Sequence, residues 1–194
     1  MLPVFNGNID ELTYVGSGHH RLVYVHPCDD SKCVKILRAG HTDHLSGRKR
    51  RILAQREHNY YNSLSKRGVA GGHIAGYYGK MLIQCDGDVR LAGIFDLIRN
   101  EDGQVSKTLD VELSIATDGE ELADAMSELY GYLLRHKIIS GFKMPNIVVQ
   151  RARCPSPKCV LIDNIGNTDF VPIQYVIMWI GWQQQKYGVV GWRF

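Results

Sequence analysis

Between Glu11 and Ile98 apolar residues alternate in short runs cut by Gly, Ser and Asp, and one stretch alone breaks that rhythm. A period of two places successive side chains on opposite faces, so this half of the chain is constrained to an antiparallel sheet. "ELTYVGSGHHRLVYVH" supplies two β runs, Glu11 to Val15 and Arg21 to His26, around a Gly- and Ser-rich turn. "KCVKIL" supplies a third, Lys32 to Leu37. Tyr77 to Gln84 and Val89 to Ile98 read as a hairpin with Asp86-Gly87 at its turn. The exception is a helix from about Arg48 to Lys66, on which Leu53, Glu57, Tyr60, Tyr61 and Leu64 share one face. Gly68, Gly71 and Gly72 end it.

The second half opens with a loop around Glu101-Asp102-Gly103 and turns helical. Thr117 and Glu120 have capping-box spacing. Leu122, Ala125, Met126, Leu129, Leu133 and Leu134 then mark an amphipathic helix to about Lys137. Two short strands follow, Asn146 to Gln150 and Cys159 to Ile162, joined by "RCPSPK". The expected fold is α+β and two-lobed: residues 1–98 a sheet with one helix, residues 99–194 a shortened helical lobe carrying a hairpin, with a linker near 96–105.

Composition narrows the function classes. A surplus of +3 over 194 residues is too small to imply nucleic acid as a partner. The basic run "RKRRILAQR" lacks aromatic interleaving and reads as a solvated face. No basic region followed by an apolar run opens the chain, and "VPIQYVIMWIGW", with Pro172 and Gln174, is too short to span a bilayer, so no membrane partner is expected. Cys28/Cys33 and Cys154/Cys159 have the wrong spacing for ordinary structural zinc, and reduced thiols are expected.

Four constellations carry possible chemistry. Gly16 and Gly18, with Val23 after them, form G-x-G-x-x-x-x-V in a turn between strands, where glycine lets backbone amides approach phosphate oxygens. Taken alone, an ordinary tight turn explains them better. Lys35 lies mid-strand on the face of Cys33 and Leu37, as a site cation or a charge snorkelling to solvent. Glu57 sits on the apolar helix face and requires a cation. Lys35 is the first candidate, Arg56 and Lys49 the rivals. Asn146 and Asp163 flank the short hairpin, as hard oxygen ligands suited to Mg²⁺ or as turn residues. Lys143 stands three residues ahead of Asn146, and Gly166 three after Asp163, where a sharp turn is expected.

Taken in order, these residues resemble the protein-kinase superfamily, and in their pattern and small size especially the bacterial YrbL family of PhoP regulatory network proteins. The resemblance runs from about Tyr14 to Gly166. It makes "VGSGHHRLVY" a Gly-rich loop, Lys35 of "CVKI" the lysine on the α- and β-phosphates, and Glu57 its helix partner. "GIFDLI" falls at the hinge, so Asp96 and Ile98 would lie beside adenine. "GFKMPNIVV" matches the catalytic loop, with Lys143 near the γ-phosphate, and "DNIG" the metal motif, giving ATP and Mg²⁺ as cofactors. A cytoplasmic regulatory setting is likewise implied by the resemblance.

Three departures matter. Gly141 stands where protein-kinase sequences have their catalytic aspartate, an aspartate the YrbL pattern also lacks, and the third glycine of the kinase loop is replaced by Arg21. After Asp163 only 31 residues follow, with no Ala-Pro-Glu motif and too little chain for the helical platform that docks protein substrates. Trp179, Trp182 and Trp192 in this tail are expected to pack against the helix of residues 119–137, or else to offer an aromatic patch to a partner. Two readings stay open: a minimal phosphotransferase acting on a small molecule or on itself, or a pseudokinase whose output is a protein contact.

Overall fold

The computed structural model describes residues 4–18, 21–37, 47–69, 71–85, 88–116, 119–152 and 156–166. Thr117, Asp86-Gly87, Cys154 and the three tryptophans lie outside the described residues.

The molecule is α+β. Six strands form one sheet: β1 (Val4–Asn8), β2 (Tyr14–Ser17), β3 (Arg21–His26), β4 (Asp29–Leu37), β5 (Tyr77–Cys85) and β6 (Asp88–Asp96), in the order β1-β5-β6-β4-β3-β2. Pairing is antiparallel except where β1 runs parallel to β5. The stretch expected to begin a strand at Glu11 instead forms a 3-10 turn, Ile9–Glu11, and β2 starts at Tyr14. Helix α1 (Gly47–Lys66) crosses between β4 and β5 in sequence. Gly68 closes it at φ 72°, where Val69 N–H reaches back to the Leu64 carbonyl at 2.9 Å.

Strand β4 is interior to the sheet, and its residues Cys33, Val34, Lys35 and Ile36 are buried on both faces. Val34 and Ile36 join Ile9, Met81, Ile83, Ala92 and Ile94 in a cluster on one side. Cys33 and Phe95 face the other side, in a cluster with Tyr61 and Leu64 of α1.

That second cluster also takes in most of the later elements. They are α2 (Leu109–Ile115), α3 (Glu120–Arg135) and the hairpin β7 (Ile147–Gln150) with β8 (Lys158–Leu161). On α3, Leu122, Ala125, Leu129 and Leu133 recur at helical spacing and are buried, each leucine contributing about 1.5–3 kcal/mol of transfer free energy. The helix begins after Gly119, whose carbonyl accepts the Ala123 N–H at 2.9 Å, while Thr117, the first residue of the expected capping box, lies outside the described residues. It ends at Arg135, just before Lys137 turns at φ 49°.

The expected linker at 96–105 is an ordered turn. Arg99 bridges to Val105, Ser106 N–H bonds the Ile98 carbonyl at 2.9 Å, and Leu97 N–H bonds the Ser31 carbonyl at 2.9 Å. Residues 73–75 attach to β8 through Leu161 N–H to the His73 carbonyl and Ala75 N–H to the Leu161 carbonyl, each 2.9 Å. Backbone bonds and one apolar cluster thus join the two halves. Among the described residues no helix is long and apolar enough to cross a membrane.

Candidate functional site

The β7–β8 hairpin sets Asn146 beside Asp163. Asn146 closes a 3-10 turn, Met144–Asn146, with Pro145 in its first turn, and its carbonyl accepts the Ile162 N–H at 2.8 Å. Asp163 follows directly, and its Oδ1 accepts the Asn164 N–H at 2.7 Å. Asn164 then turns at φ 61° and clasps the loop opposite: its carbonyl accepts the Gly141 N–H at 3.0 Å, and its amide donates to the Gly141 carbonyl at 3.2 Å. Ser140 bridges Ile165, and Gly166 N–H bonds the Ile139 carbonyl at 2.7 Å. Gly166 makes the sharp turn expected of it at φ 75°, and an added Cβ there would lie 2.5 Å from Tyr60 Cγ. Tyr60 in turn accepts the Ile139 N–H on its hydroxyl at 2.7 Å, so α1 touches both segments.

The first-half residues reach the same place by a different pairing from the one expected. Lys35 is buried, 7% exposed, and donates its ammonium to the Ile162 carbonyl, with the Phe95 ring 4.6 Å below it. Glu57 does not pair with Lys35. Arg21 takes it with a two-pronged fork, Nη1 to Oε1 at 3.1 Å and Nη2 to Oε2 at 2.8 Å. The physical reason is geometric: a guanidinium matches a carboxylate edge to edge, whereas the single ammonium of Lys35 is directed to the Ile162 carbonyl. Of the rivals, Arg56 is exposed. Arg21 Nη1 also stands 3.7 Å from Asp163 Oδ1. Burial by itself disfavours the Arg21 charge, but Asp163 and Glu57 together outweigh it and raise its pKa, so the guanidinium stays charged.

Arg21 was not singled out from sequence as a site residue, although a signal existed. Its pairing partner on β4 is Leu37 and that of Val23 is Lys35, so strand alternation alone puts Arg21 on the Lys35 face. Tyr61 was placed on the right helix face but given no role. It is buried, its hydroxyl makes no hydrogen bond among the described residues, and burial followed by the fields of Glu57 and Asp163 pushes its pKa well up.

The remaining candidates lie around this centre. Gly16 pairs with Val23 across β2–β3, and Gly18 N–H bonds the Arg21 carbonyl at 2.9 Å. A Cβ built on Gly16 or Gly18 would meet nothing within 4 Å. The Asp96 carboxylate is taken by Gly76 N–H at 2.6 Å and by the Tyr78 hydroxyl at 2.7 Å, which makes that side chain a brace of the β5–β6 end. The Asp96 carbonyl faces the Cys33 thiol at 3.5 Å, and the Ile98 carbonyl is held by Ser106. Lys143 is exposed beside the Asn146 turn. A cleft of about 290 Å³ touches Asp96 and Ile98 but not Lys35, Asn146 or Asp163. A larger one, about 510 Å³, lies by Glu112 and Arg151.

The donor set bears on the metal. Among the described residues no three His, Cys, Asp or Glu side chains gather as a complete metal cage. Mg²⁺ does not need one, since it keeps water and takes one or two protein oxygens together with substrate phosphates. Asp163 and Asn146, brought side by side by the hairpin, are the donor types that modest requirement calls for, and Tyr61, whose hydroxyl makes no hydrogen bond among the described residues, adds a polar group near the same charges. Among the described residues Cys28 is an exposed free thiol, while Cys33 and Cys159 are buried free thiols.

The chain is 27% identical over 182 residues to "Uncharacterized protein YrbL" of Escherichia coli (strain K12), covering 92% of this chain and 82% of that protein. The protein of the same name from Shigella flexneri matches with the same figures. The family model of PhoP regulatory network protein YrbL matches residues 8–187, which is nearly the whole sequence, and the chain belongs to the YrbL family.

Proposed function

We propose that this protein binds ATP with Mg²⁺ in a protein-kinase-like arrangement, its sheet and α1 serving as one lobe and α3 with the β7–β8 hairpin as the other. One observation carries the reading: Lys35, Glu57 and Asp163, far apart in sequence, are tied together through Ile162 and Arg21, with Asn146 one hydrogen bond away. In this reading Asp163 and Asn146 hold the ion, the open glycine turn admits phosphate oxygens, and Lys35 with Arg21 supplies the cationic surroundings. Bound Mg²⁺ would neutralise charge on the phosphates.

Whether phosphate is transferred depends on the loop at Gly141. No side chain there accepts a proton, a loss typically worth about 10²–10⁴ in rate. Phosphoryl transfer rests mostly on positioning and electrostatics, so a slow transferase to a small molecule or to the protein itself is the first reading. The second reading, a pseudokinase that binds nucleotide and signals through a protein partner, is favoured by the way Asn164 clamps both backbone groups of Gly141. Thermal unfolding with ATP, ADP and GTP, each with and without Mg²⁺ or Mn²⁺, tests the shared claim. A rise in Tm with nucleotide that grows with the metal is expected, and no rise with any nucleotide removes the proposal. Gly141→Asp separates the two readings: gained ATP hydrolysis favours an otherwise assembled catalytic site.

A further inference from the structure

We propose that Arg21 is a built-in competitor of the divalent cation at Asp163, so that guanidinium and ion hold that carboxylate alternately. The inference rests on the reading of Asp163 as the metal ligand.

The geometry is specific. Arg21 Nη1 gives one hydrogen bond to Glu57 Oε1 at 3.1 Å and stands 3.7 Å from Asp163 Oδ1. The pair is only partly solvated, with the Arg21 side chain 21% and the Asp163 side chain 34% exposed. A divalent ion held by the Asp163 carboxylate would share it with a guanidinium whose charge is only weakly screened at this burial. Both cations are attracted to one carboxylate and repel each other.

Glu57 makes the exchange workable. Its fork with Arg21 uses both terminal nitrogens, so Glu57 still neutralises the guanidinium when an ion takes Asp163, and ion binding strands no buried charge. Lys35 is not in the contest, because its ammonium is engaged on the Ile162 carbonyl. Arg21 also opens β3, at the foot of the glycine turn, and its carbonyl holds Gly18 N–H. An ion at Asp163 thus loosens the tie between that turn and the end of β8, which couples metal binding to the freedom of the segment proposed to cover phosphates.

Mn²⁺ binding by the full chain without nucleotide, followed by loss of the free-ion EPR signal at low ionic strength, tests this directly. Arg21→Gln should tighten Mn²⁺ binding about five- to tenfold by removing the competing charge. Glu57→Gln, which frees the guanidinium for Asp163, should weaken it. Unchanged or weaker binding by Arg21→Gln overturns the proposal, as does its failure to bind where the parent also binds nothing. Should Arg21→Gln not fold, Glu57→Gln decides alone, and binding as tight as the parent's overturns the competition. Asp163→Asn separates this from the broader reading. If that variant binds Mn²⁺ like the parent, Asp163 is not the ligand and both fall; if it loses Mn²⁺ while Arg21→Gln changes nothing, only the competition falls.

Discussion

At the scale of single residues, the site is organised by what each side chain cannot leave unpaired. Glu57 is half-buried and so demanded a cation, a requirement legible in the helix pattern alone. Which cation was only faintly legible, because Lys35 is nearer in sequence while the partner is chosen by shape and by the register that puts Arg21 on the same face. Arg21, at the start of β3, offers the matching fork. Gly166 is the opposite case, a position read correctly as a sharp turn whose crowding only the fold reveals. Gly166→Ala must take φ 75° and push Tyr60 aside, which should cost about 2–4 kcal/mol in chemical denaturation. Gly68→Ala, at φ 72° with nothing within 4 Å, is the control and should cost only about 1 kcal/mol. Equal losses for the two would show that contact with Tyr60 is not what holds Gly166 as glycine.

At the scale of elements, the long periodic segments were readable and the short or non-local ones were not. α1, β3, the β5–β6 hairpin and the β7–β8 hairpin carry clear periods and turn residues, and they formed within a few residues of expectation. β1 was missed because "VFNGN" has two apolar residues only and is a strand by virtue of pairing with β5, far along the chain. α2, seven residues long, is too short to show a period and is held by burial of Leu109 and Glu112. The linker near 96–105 read as loop because its order comes from bonds to Ser31 and Val105 rather than from composition.

The seam between α1 and β5 is where pH should act. His58 Nδ1 lies 3.0 Å from the Tyr77 hydroxyl and Nε2 lies 3.0 Å from the Asn62 amide. Desolvation, then Lys80, lowers the His58 pKa below its usual 6.5. The unfolded chain therefore binds a proton first as pH falls through 6.5, so stability is full above that value and declines below it. His58→Gln should flatten the fall in Tm between about pH 6.5 and 5. A parent whose Tm rises over that interval, after allowance for His26, would contradict the assignment.

At the scale of the whole molecule, the two halves are one body built around a shared core. Cys33, Tyr61 and Phe95 from the first half pack with Leu129, Val149 and Leu161 from the second, and the candidate site lies where they meet. The candidate residues were proposed as a set because their order along the chain resembles a known pattern. Their convergence was not, since it depends on backbone bonds such as those of Leu161 to His73 and Ala75.

The central claim is that residues of both halves serve a single nucleotide. The most direct measurement is thermal unfolding of the parent, Lys35→Met and Asp163→Asn with ATP, in Mg²⁺ and in EDTA. At a nucleotide concentration about 100 times Kd, the parent should gain about 2.7 kcal/mol of stability. Lys35→Met should lose most of that gain in either condition, and Asp163→Asn should lose the part that depends on Mg²⁺. A parent that ATP leaves unmoved, or two variants that keep the full Mg²⁺-dependent gain, would contradict the account.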